Sequence, residues 1–432
     1  MPNKPKVVIV GGGFGGLNAA KRLGKAPVDV TLIDSSNHHL FQPLLYQVAT
    51  ATLSPSDVAM PIRHILKSKN NVEVLLEKVT GVDTKAKLVR VEDGYPVPYD
   101  YLVLATGATH SYFGHPEWEK VAKGLKTIGD ATAIRSQILG AFELAEVEPD
   151  PAEKAKLLTF ILVGAGPTGV EMSGAISEIA MHALTGEFRR INPESAKIIL
   201  VEGGPRVLST YEPALSQKAL DSLQRRHVDV RLNTNVKGID KNGVETDKGR
   251  IDAHTVIWTA GVKASPVAEW LGLKADRSGH VAVTPKLEVP GLANVFVIGD
   301  AMSLEQDGHP LPGVAQVAIQ QGKYVAALIG TRAEGKAFEQ DFHYRDLGSL
   351  ATIGRSSAIA QFGKRRVSGF IAWVIWLFVH IMNLVGFRAK LSVLLQWAWS
   401  YFNWGRGSRI ITQPFGYTAQ SPENGCEQPD GS

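Results

Sequence analysis

Gly11, Gly13 and Gly16 in VVIVGGGFGG, and Gly164, Gly166 and Gly169 in FILVGAGPTG, repeat one spacing, G-x-G-x-x-G. Each triplet follows an apolar run and precedes a helix-like stretch. In that setting the first glycine makes the turn, the second lets backbone approach a pyrophosphate, and the third packs helix on strand. The phosphates then sit at the helix N-terminus, where unpaired N–H groups point outward. An acid completes each unit. Asp34 lies 23 residues after Gly11, and Glu202 lies 38 residues after Gly164. The second gap exceeds the usual ~20 because MHALTGEFRRINPES extends the helix and adds a loop. A carboxylate there accepts bonds from ribose hydroxyls and repels a 2′-phosphate, so NADH is favoured over NADPH at the second site. Arg206 is the nearby group that would recruit a phosphate; it is read as loop structure. Two dinucleotides in one chain can pass a hydride between them. The non-redundant pairing is a flavin in one site and a nicotinamide in the other.

These groups need a frame. Residues 6–10 read as a buried strand, 15–23 as a helix and 28–33 as a second strand. The order returns as strand 158–163, turn 164–169, helix 170–184 and strand 197–201. HTVIWTAGV and ANVFVIGDAM each run from a strand into a glycine turn, and residues 315–329 read as a helix. The fold class is α/β: two Rossmann-like dinucleotide-binding domains, the first discontinuous, plus a C-terminal α/β membrane-anchoring domain with amphipathic helices. Residues 1–115 and 290–335 form the two parts of the first domain, 116–289 the second and 336–416 the C-terminal one. A disordered tail is expected over 417–432.

Composition narrows the chemistry. A net charge of +4 over 432 residues gives no reason to expect nucleic acid. The single cysteine, Cys426, allows no internal disulfide, no cysteine-pair redox centre and no thiolate metal site. His38 and His39 are adjacent, so in a strand they would face opposite ways; a loop lining the first cofactor is expected, and no metal. MPNKPKVVIVGGG enters a strand with no hydrophobic signal segment ahead, which suits a bacterial cytoplasmic membrane.

The C-terminal region differs. GFIAWVIWLFVH holds ten consecutive apolar residues, 370–379, where a bilayer-crossing helix needs about 20. In KLSVLLQWAWSYFNWGRG, Ser392, Gln396, Ser400 and Asn403 form one polar stripe. Leu394, Leu395, Trp397, Phe402 and Trp404 lie on the remaining face. Five of the eight tryptophans fall between Trp373 and Trp404, and tryptophan prefers the headgroup level. Lys364–Arg366, Arg388, Lys390, Arg406 and Arg409 flank the helices and suit anionic lipid. Two interfacial helices in one leaflet are expected. A buried hairpin or dimer interface, and a span over 370–387, are the other readings.

NHHLFQPLLYQVATATLSP, AQVAIQQG, GAGPTGVEMSGAISEI and VEGGPRVL, with the order GxGxxG, ATG, GxGxxG, TAG, GD, resemble two-dinucleotide-domain flavoprotein reductases. Among these they are similar to the type II NADH dehydrogenases, single-subunit NADH:quinone oxidoreductases, over roughly residues 5–410. The resemblance implies non-covalent FAD held by Gly11, Gly13, Phe14, Gly15, Gly16, Asp34, Gln42, Val79, Ala105, Thr106, Gly107, Asp300, Gln316 and Val317. It implies NADH held by Gly164, Gly166, Pro167, Thr168, Gly169, Glu171, Glu202 and Gly261. It further implies hydride transfer from NADH to the flavin, then two electrons to a membrane quinone, with no ion pumping. Without a cysteine pair, electrons leave the flavin directly, which speaks against sulfide:quinone reductases. Gln316 and Gln320, at i and i+4, share a helix face; their amides can bond a quinone carbonyl without adding charge, and Ile319 would supply an apolar wall. Otherwise they are solvated glutamines. Glu171 is either a proton relay to the quinone or a carboxylate favoured by its helix dipole. Lys323 and His380 are further candidates. A homodimer, monotopic on the cytoplasmic face of the inner membrane, is also implied. The alternatives are a soluble NADH:ferredoxin or rubredoxin-type reductase, and a flavin- and NADH-binding regulatory protein with little turnover.

Overall fold

A computed structural model describes residues 4–413; the tail expected over 417–432 lies outside them. Two parallel five-stranded sheets carry the architecture. Across the first run Val295–Val297, Tyr101–Leu104, Lys6–Val10, Asp29–Asp34 and Val72–Leu76. Across the second run Ala122–Gly124, Thr255–Trp258, Thr159–Val163, Lys197–Val201 and Val228–Arg231. Sheets covered on both faces need strands apolar throughout, and all five residues of Thr159–Val163 are buried. In each sheet the strand before the glycine loop is central, with its successor on one side and a later strand on the other. That is a topological switch point, and the crevice opens at the carboxyl ends of the strands. The first sheet takes its edge strand from 295–297, far along the chain. Val267, Ala268, Leu271 and Val281 also lie in that core, ahead of residue 290 where the sequence expectation resumes the first domain. The second glycine-loop helix begins at Pro167, where a missing N–H costs nothing. It runs to Glu178 and ends in a π-turn over Ile179–Ala183, rather than continuing as α-helix to 184.

The C-terminal region opens with an antiparallel sheet, Ser349–Gly354, Ser357–Phe362 and Arg365–Gly369. Ala351, Ile353, Ile359 and Ala360 share a core with Val170, Met172 and Ile176 of the second unit. Two helices follow, Phe370–Asn383 and Phe387–Asn403. The first has 14 residues, about 21 Å of helix against a hydrocarbon core of about 30 Å. No described helix is long and apolar enough to cross a membrane.

The polar stripe of the second helix turns toward protein at Ser392 and Gln396. Ser392 Oγ donates to Asp57 Oδ1 at 2.8 Å, and Gln396 Nε2 donates to Asp57 Oδ2 at 2.9 Å. Ser392 and Gln396 face protein because a buried carboxylate needs donors, while Asn403 of the same stripe is exposed. Leu394, Leu395, Trp399 and Phe402 point outward, joined by Phe370, Ile371, Val374 and Phe378 of the first helix. Trp397 turns inward and donates Nε1–H to Gln47 Oε1 at 2.7 Å. Burial alone would raise Asp57, but hydrogen bonds from Ser54, Gln396 and Ser392 hold it below its ordinary value. This anchorage is therefore complete above the ordinary carboxylate pKa and is lost as pH falls below it. Asp57→Ala strands both donors, at about 2–3 kcal/mol for bonds to a charged group. The expected result is a lower melting temperature and faster proteolysis within 387–403, with Asp57→Asn between wild type and Ala. Equal melting of all three would refute the anchorage.

Two basic residues expected at the lipid flank are used elsewhere. Arg406 is buried and paired with Glu178 at 3.1 Å, and Arg409 pairs with Glu187 at 2.6 Å. Arg366 reaches Glu212 at 3.0 Å, whereas Lys364, Arg365 and Arg388 are exposed.

Candidate functional site

The two glycine loops are built alike. Gly11 has φ +102° and Gly164 φ +101°, backbone that side chains with a Cβ rarely adopt. Nothing lies within 4 Å of where a Cβ would stand on Gly13 or Gly166, the residues that start the two helices. A Cβ on Gly16 or Gly169 would strike the carbonyl of Gly11 or Gly164. Asp34 Oδ2 accepts from the Gly12 N–H at 2.5 Å and Oδ1 from Ser36 at 2.6 Å. Glu202 Oε2 accepts from Ala165 at 2.7 Å and Oε1 from Gly204 at 2.7 Å. The two acids thus take equivalent places despite their unequal spacing. Burial raises the Asp34 carboxyl, against the pull of those backbone bonds. Arg206 donates to the carbonyls of Ser209 and Tyr211, at 3.0 and 3.4 Å, and so braces its own loop.

A two-stranded ribbon joins the units. Ala108–His110 pairs antiparallel with Val262–Ala264. The Ser265 N–H donates to the Gly107 carbonyl at 3.2 Å, and the hydroxyls of Thr106 and Ser265 are hydrogen-bonded. Ala105, Thr106, Gly107 and Gly261 therefore stand at one junction, with the ring of Phe113 against Gly261. Gln42 Nε2 reaches the Lys126 carbonyl at 3.2 Å, a second tie between the units. Lys126 itself was not anticipated. Burial lowers its ammonium pKa, and the charge of Asp300 raises it. The one local sign was a lysine beside the helix start at Thr127, whose capping box closes on Asp130.

Phe14 opens the first glycine-loop helix, and Val79 begins the strand Val79–Asp83. Val79 and Val317 are buried. Asp300 sits in the 3-10 turn Gly299–Ala301. That turn is held by Gln321, fully buried, whose Oε1 accepts from Gly299 N–H at 2.7 Å; sequence reasoning passed over it for its neighbour. His38 and His39 form a strand, His38–Leu40, paired with Ala59–Pro61 rather than a loop. His39 is buried, its Nδ1 is 2.9 Å from the Gly12 carbonyl, and its ring lies edge-on to Phe14. Burial lowers it to about 4, so the imidazole is neutral.

Gln316, Ile319 and Gln320 lie at the start of helix Ala315–Ala333 and are half-buried. Gly322 of this helix packs against the backbone of Gly15, which draws the helix onto the first glycine loop. The Gln320 amide is engaged at both ends by Arg345 backbone, at 2.9 and 3.0 Å. Gln316 has no hydrogen-bond partner among the described residues. Glu171, in helix Pro167–Glu178, lines a cavity of about 110 Å³ with Tyr46, Trp373, Trp376, Trp397 and Tyr401. Gln316, Ile319 and Gln320 do not line it. Burial raises Glu171 to about 8, against a hydrogen bond from the Thr352 backbone, so it is protonated at neutral pH. Trp376, also in the wall, is 2% exposed with an indole N–H that has no partner among the described residues. A file of rings, Phe14, Phe41, His380 and Trp376, leads from the first loop to this cavity at centroid spacings of 5.8, 6.2 and 4.2 Å. Burial holds His380 neutral, lowered to about 4.

Residues 5–322 match the pyridine nucleotide-disulphide oxidoreductase family, and residues 347–406 match the NDH2 C-terminal domain. The type II NADH:quinone oxidoreductase Ndh of Mycobacterium tuberculosis is 45% identical over 425 residues, covering 95% of this chain and 91% of that protein. The chain belongs to the type II NADH:quinone oxidoreductases. NdhA of the same organism, carrying the same description, is 46% identical over 95% of this chain and 90% of its own length. The fold of this oxidoreductase is shared with NDH2 of Plasmodium falciparum, solved in complex with NADH. There the TM-score is 0.85 at 21% identity, over 95% of this chain and all of the other.

The disulphide in the broader family's description has no counterpart in this type II oxidoreductase, whose single cysteine is Cys426. The first cradle fits a flavin dinucleotide: open space at Gly13 for a pyrophosphate, an acid at the next strand end and, at Gly107 and Ser265, a junction with the second unit.

Proposed function

We propose that the chain oxidises NADH and reduces a membrane quinone to quinol by two electrons, without moving ions. FAD, when bound in the first cradle, supplies the hydride-accepting and electron-passing chemistry. The second cradle takes the NADH pyrophosphate on the helix start at Gly166, Pro167 and Thr168. Glu202 holds ribose hydroxyls and repels a 2′-phosphate. The ribbon through Gly107 and Gly261 orients the nicotinamide toward the first crevice. Gln316, with its amide free, donates to a quinone carbonyl against the Ile319 wall. Gln320 keeps the helix start in place through Arg345. Quinol formation consumes two protons, and Glu171 holds one at neutral pH.

One observation carries this most. A single helix, Pro167–Glu178, starts in the second cradle and presents Glu171 to a cavity walled by tryptophans from the two helices whose outer faces are apolar. The exposed Phe370, Phe378, Leu395 and Phe402 suit lipid, the solvent of the quinone. Monotopic attachment on the cytoplasmic face, where NADH is available, belongs to the proposal. So does a homodimer through the same region, in which a second copy covers part of the apolar area.

The test is NADH oxidation by purified protein with a water-soluble quinone, with NADH and NADPH compared, for wild type and Gln316→Ala. Rapid quinone-dependent turnover preferring NADH is expected. Gln316→Ala should raise the quinone KM about tenfold, the worth of one or two hydrogen bonds, and leave NADH-driven bleaching of the flavin unchanged. Turnover only with a ferredoxin or rubredoxin, or a long-lived reduced protein with no turnover, would favour the two alternatives.

A further inference from the structure

A second cleft adjoins the Glu171 cavity and shares Glu178, Arg355 and Trp404 with it. Its volume is about 500 Å³, and its walls include His182, Arg225, Arg226, His227, Arg355 and Trp404. Three arginines and two histidines face one carboxylate, Glu178. That carboxylate is already committed to Arg406 at 3.1 Å and to the Arg355 backbone N–H at 2.6 Å. Among the described residues, Arg225, Arg226 and Arg355 have no carboxylate within ion-pair distance. Arg226 spends its donors on Ser222 and the Arg355 carbonyl. Arg355 is clasped between Tyr401 and Trp404, its guanidinium carbon 4.3 and 4.1 Å from their ring centres. Its Nη1 is buried with no hydrogen-bond partner among the described residues. The His182 ring lies 4.0 Å from that of Trp404, centroid to centroid.

The location names the ligand. Trp404 directly follows helix Phe387–Asn403, whose Trp399 and Phe402 are 67% and 77% exposed. If that apolar face enters the lipid, Tyr401, Trp404 and the arginines stand at headgroup depth, where aromatic and basic side chains settle. Guanidinium groups are matched to phosphate oxygens. We propose that this cleft binds the phosphodiester headgroup of an anionic phospholipid and fixes the rotation of the protein on the membrane. The proposal rests on the attachment of the two C-terminal helices to lipid.

Binding of the full flavin-loaded protein to vesicles of phosphatidylcholine, and of phosphatidylcholine with equal phosphatidylglycerol, tests both. The variants are Arg225→Gln with His227→Asn, the latter chosen because His227 has φ +58°, which Asn tolerates. Lys237→Gln with Lys241→Gln is the comparison, removing two exposed charges at the hairpin of Val236–Asp240 and Gly243–Thr246, outside the cleft and the C-terminal helices. Wild type should bind both vesicles and prefer the anionic one. Each basic group near an anionic surface is worth about fivefold. The cleft variant should lose about fivefold of that preference, the worth of Arg225, keep its affinity for phosphatidylcholine and keep its activity with a water-soluble quinone. The comparison variant should lose less. Equal losses in the two variants, or none in the first, overturn the cleft while leaving attachment intact. Wild type that binds neither vesicle overturns attachment and the cleft with it. Erasure of the preference by millimolar inorganic phosphate, but not by chloride at matched ionic strength, would give the cleft to free phosphate and overturn the lipid.

Discussion

Glu171→Gln should leave the protein folded, flavin-loaded and reducible by NADH, while quinone turnover falls about 10²–10³-fold, the usual worth of a positioned acid. Desolvation sets the reason. With the Glu171 carboxyl raised to about 8, a proton is present at neutral pH in a cavity where an anion would be poorly solvated. Gln keeps the shape and hydrogen-bonding capacity but has no proton to give. Wild-type turnover should decline above pH 8 with an apparent pKa near that value, and the variant should show no such step. Stability follows the same group. Between its ordinary value of 4.5 and about 8, the folded state holds a proton that the unfolded chain releases, so this contribution is full below the window and is lost as pH rises through it. Glu171→Gln should therefore melt closer to wild type at pH 6 and above it at pH 9. Stopped-flow reduction by NADH, measured apart from steady-state quinone turnover, separates the two half-reactions. A variant equally slow in both would make Glu171 part of nicotinamide binding alone.

The sequence made the two cradles legible because their geometry is almost wholly local. A glycine at φ near +100°, an open position before the helix and an acid at the next strand end follow from a few dozen consecutive residues. The insertion ahead of Glu202 changes the path between strands and not their register, since Thr159–Val163 still pairs in parallel with Lys197–Val201. What stayed hidden depends on partners far along the chain. The stripe of Ser392 and Gln396 looks water-facing until Asp57, over 330 residues away, is seen to accept from it. Gln320 has the spacing of a ligand-binding amide, yet Arg345 backbone occupies it. Arg406 has the composition of a lipid-flanking cation and lies buried. In each case a polar side chain read by its neighbours in sequence turns out to be satisfied by a neighbour in space.

Arg406 is where that difference costs most, so Arg406→Met should be strongly destabilising. The guanidinium donates to the Thr50 carbonyl at 2.6 Å, Thr52 Oγ1 at 3.0 Å, the Ala175 carbonyl at 3.1 Å and Glu178 Oε2 at 3.1 Å. Through these bonds it clamps the chain after the last helix onto helix Pro167–Glu178 and the loop at 50–52. Burial lowers the Arg406 pKa while Glu178 raises it; an arginine stays charged in either case. Removing it leaves Glu178 with the Arg355 N–H but no charged partner and leaves the Thr50 carbonyl without its donor, while the Ala175 carbonyl keeps the Ile179 N–H. Breaking one side of a buried pair costs about 3–5 kcal/mol, or a fall of about 5 °C in Tm for a chain of this size. Arg406→Lys should recover little, because one ammonium cannot span four acceptors. Arg406→Met with Glu178→Met should recover most of the loss, since no charge is then stranded. If the single and double variants melt alike, the cost lies in lost packing around Trp404 and not in the orphaned carboxylate. If Arg406→Met melts with wild type, the clamp holds nothing.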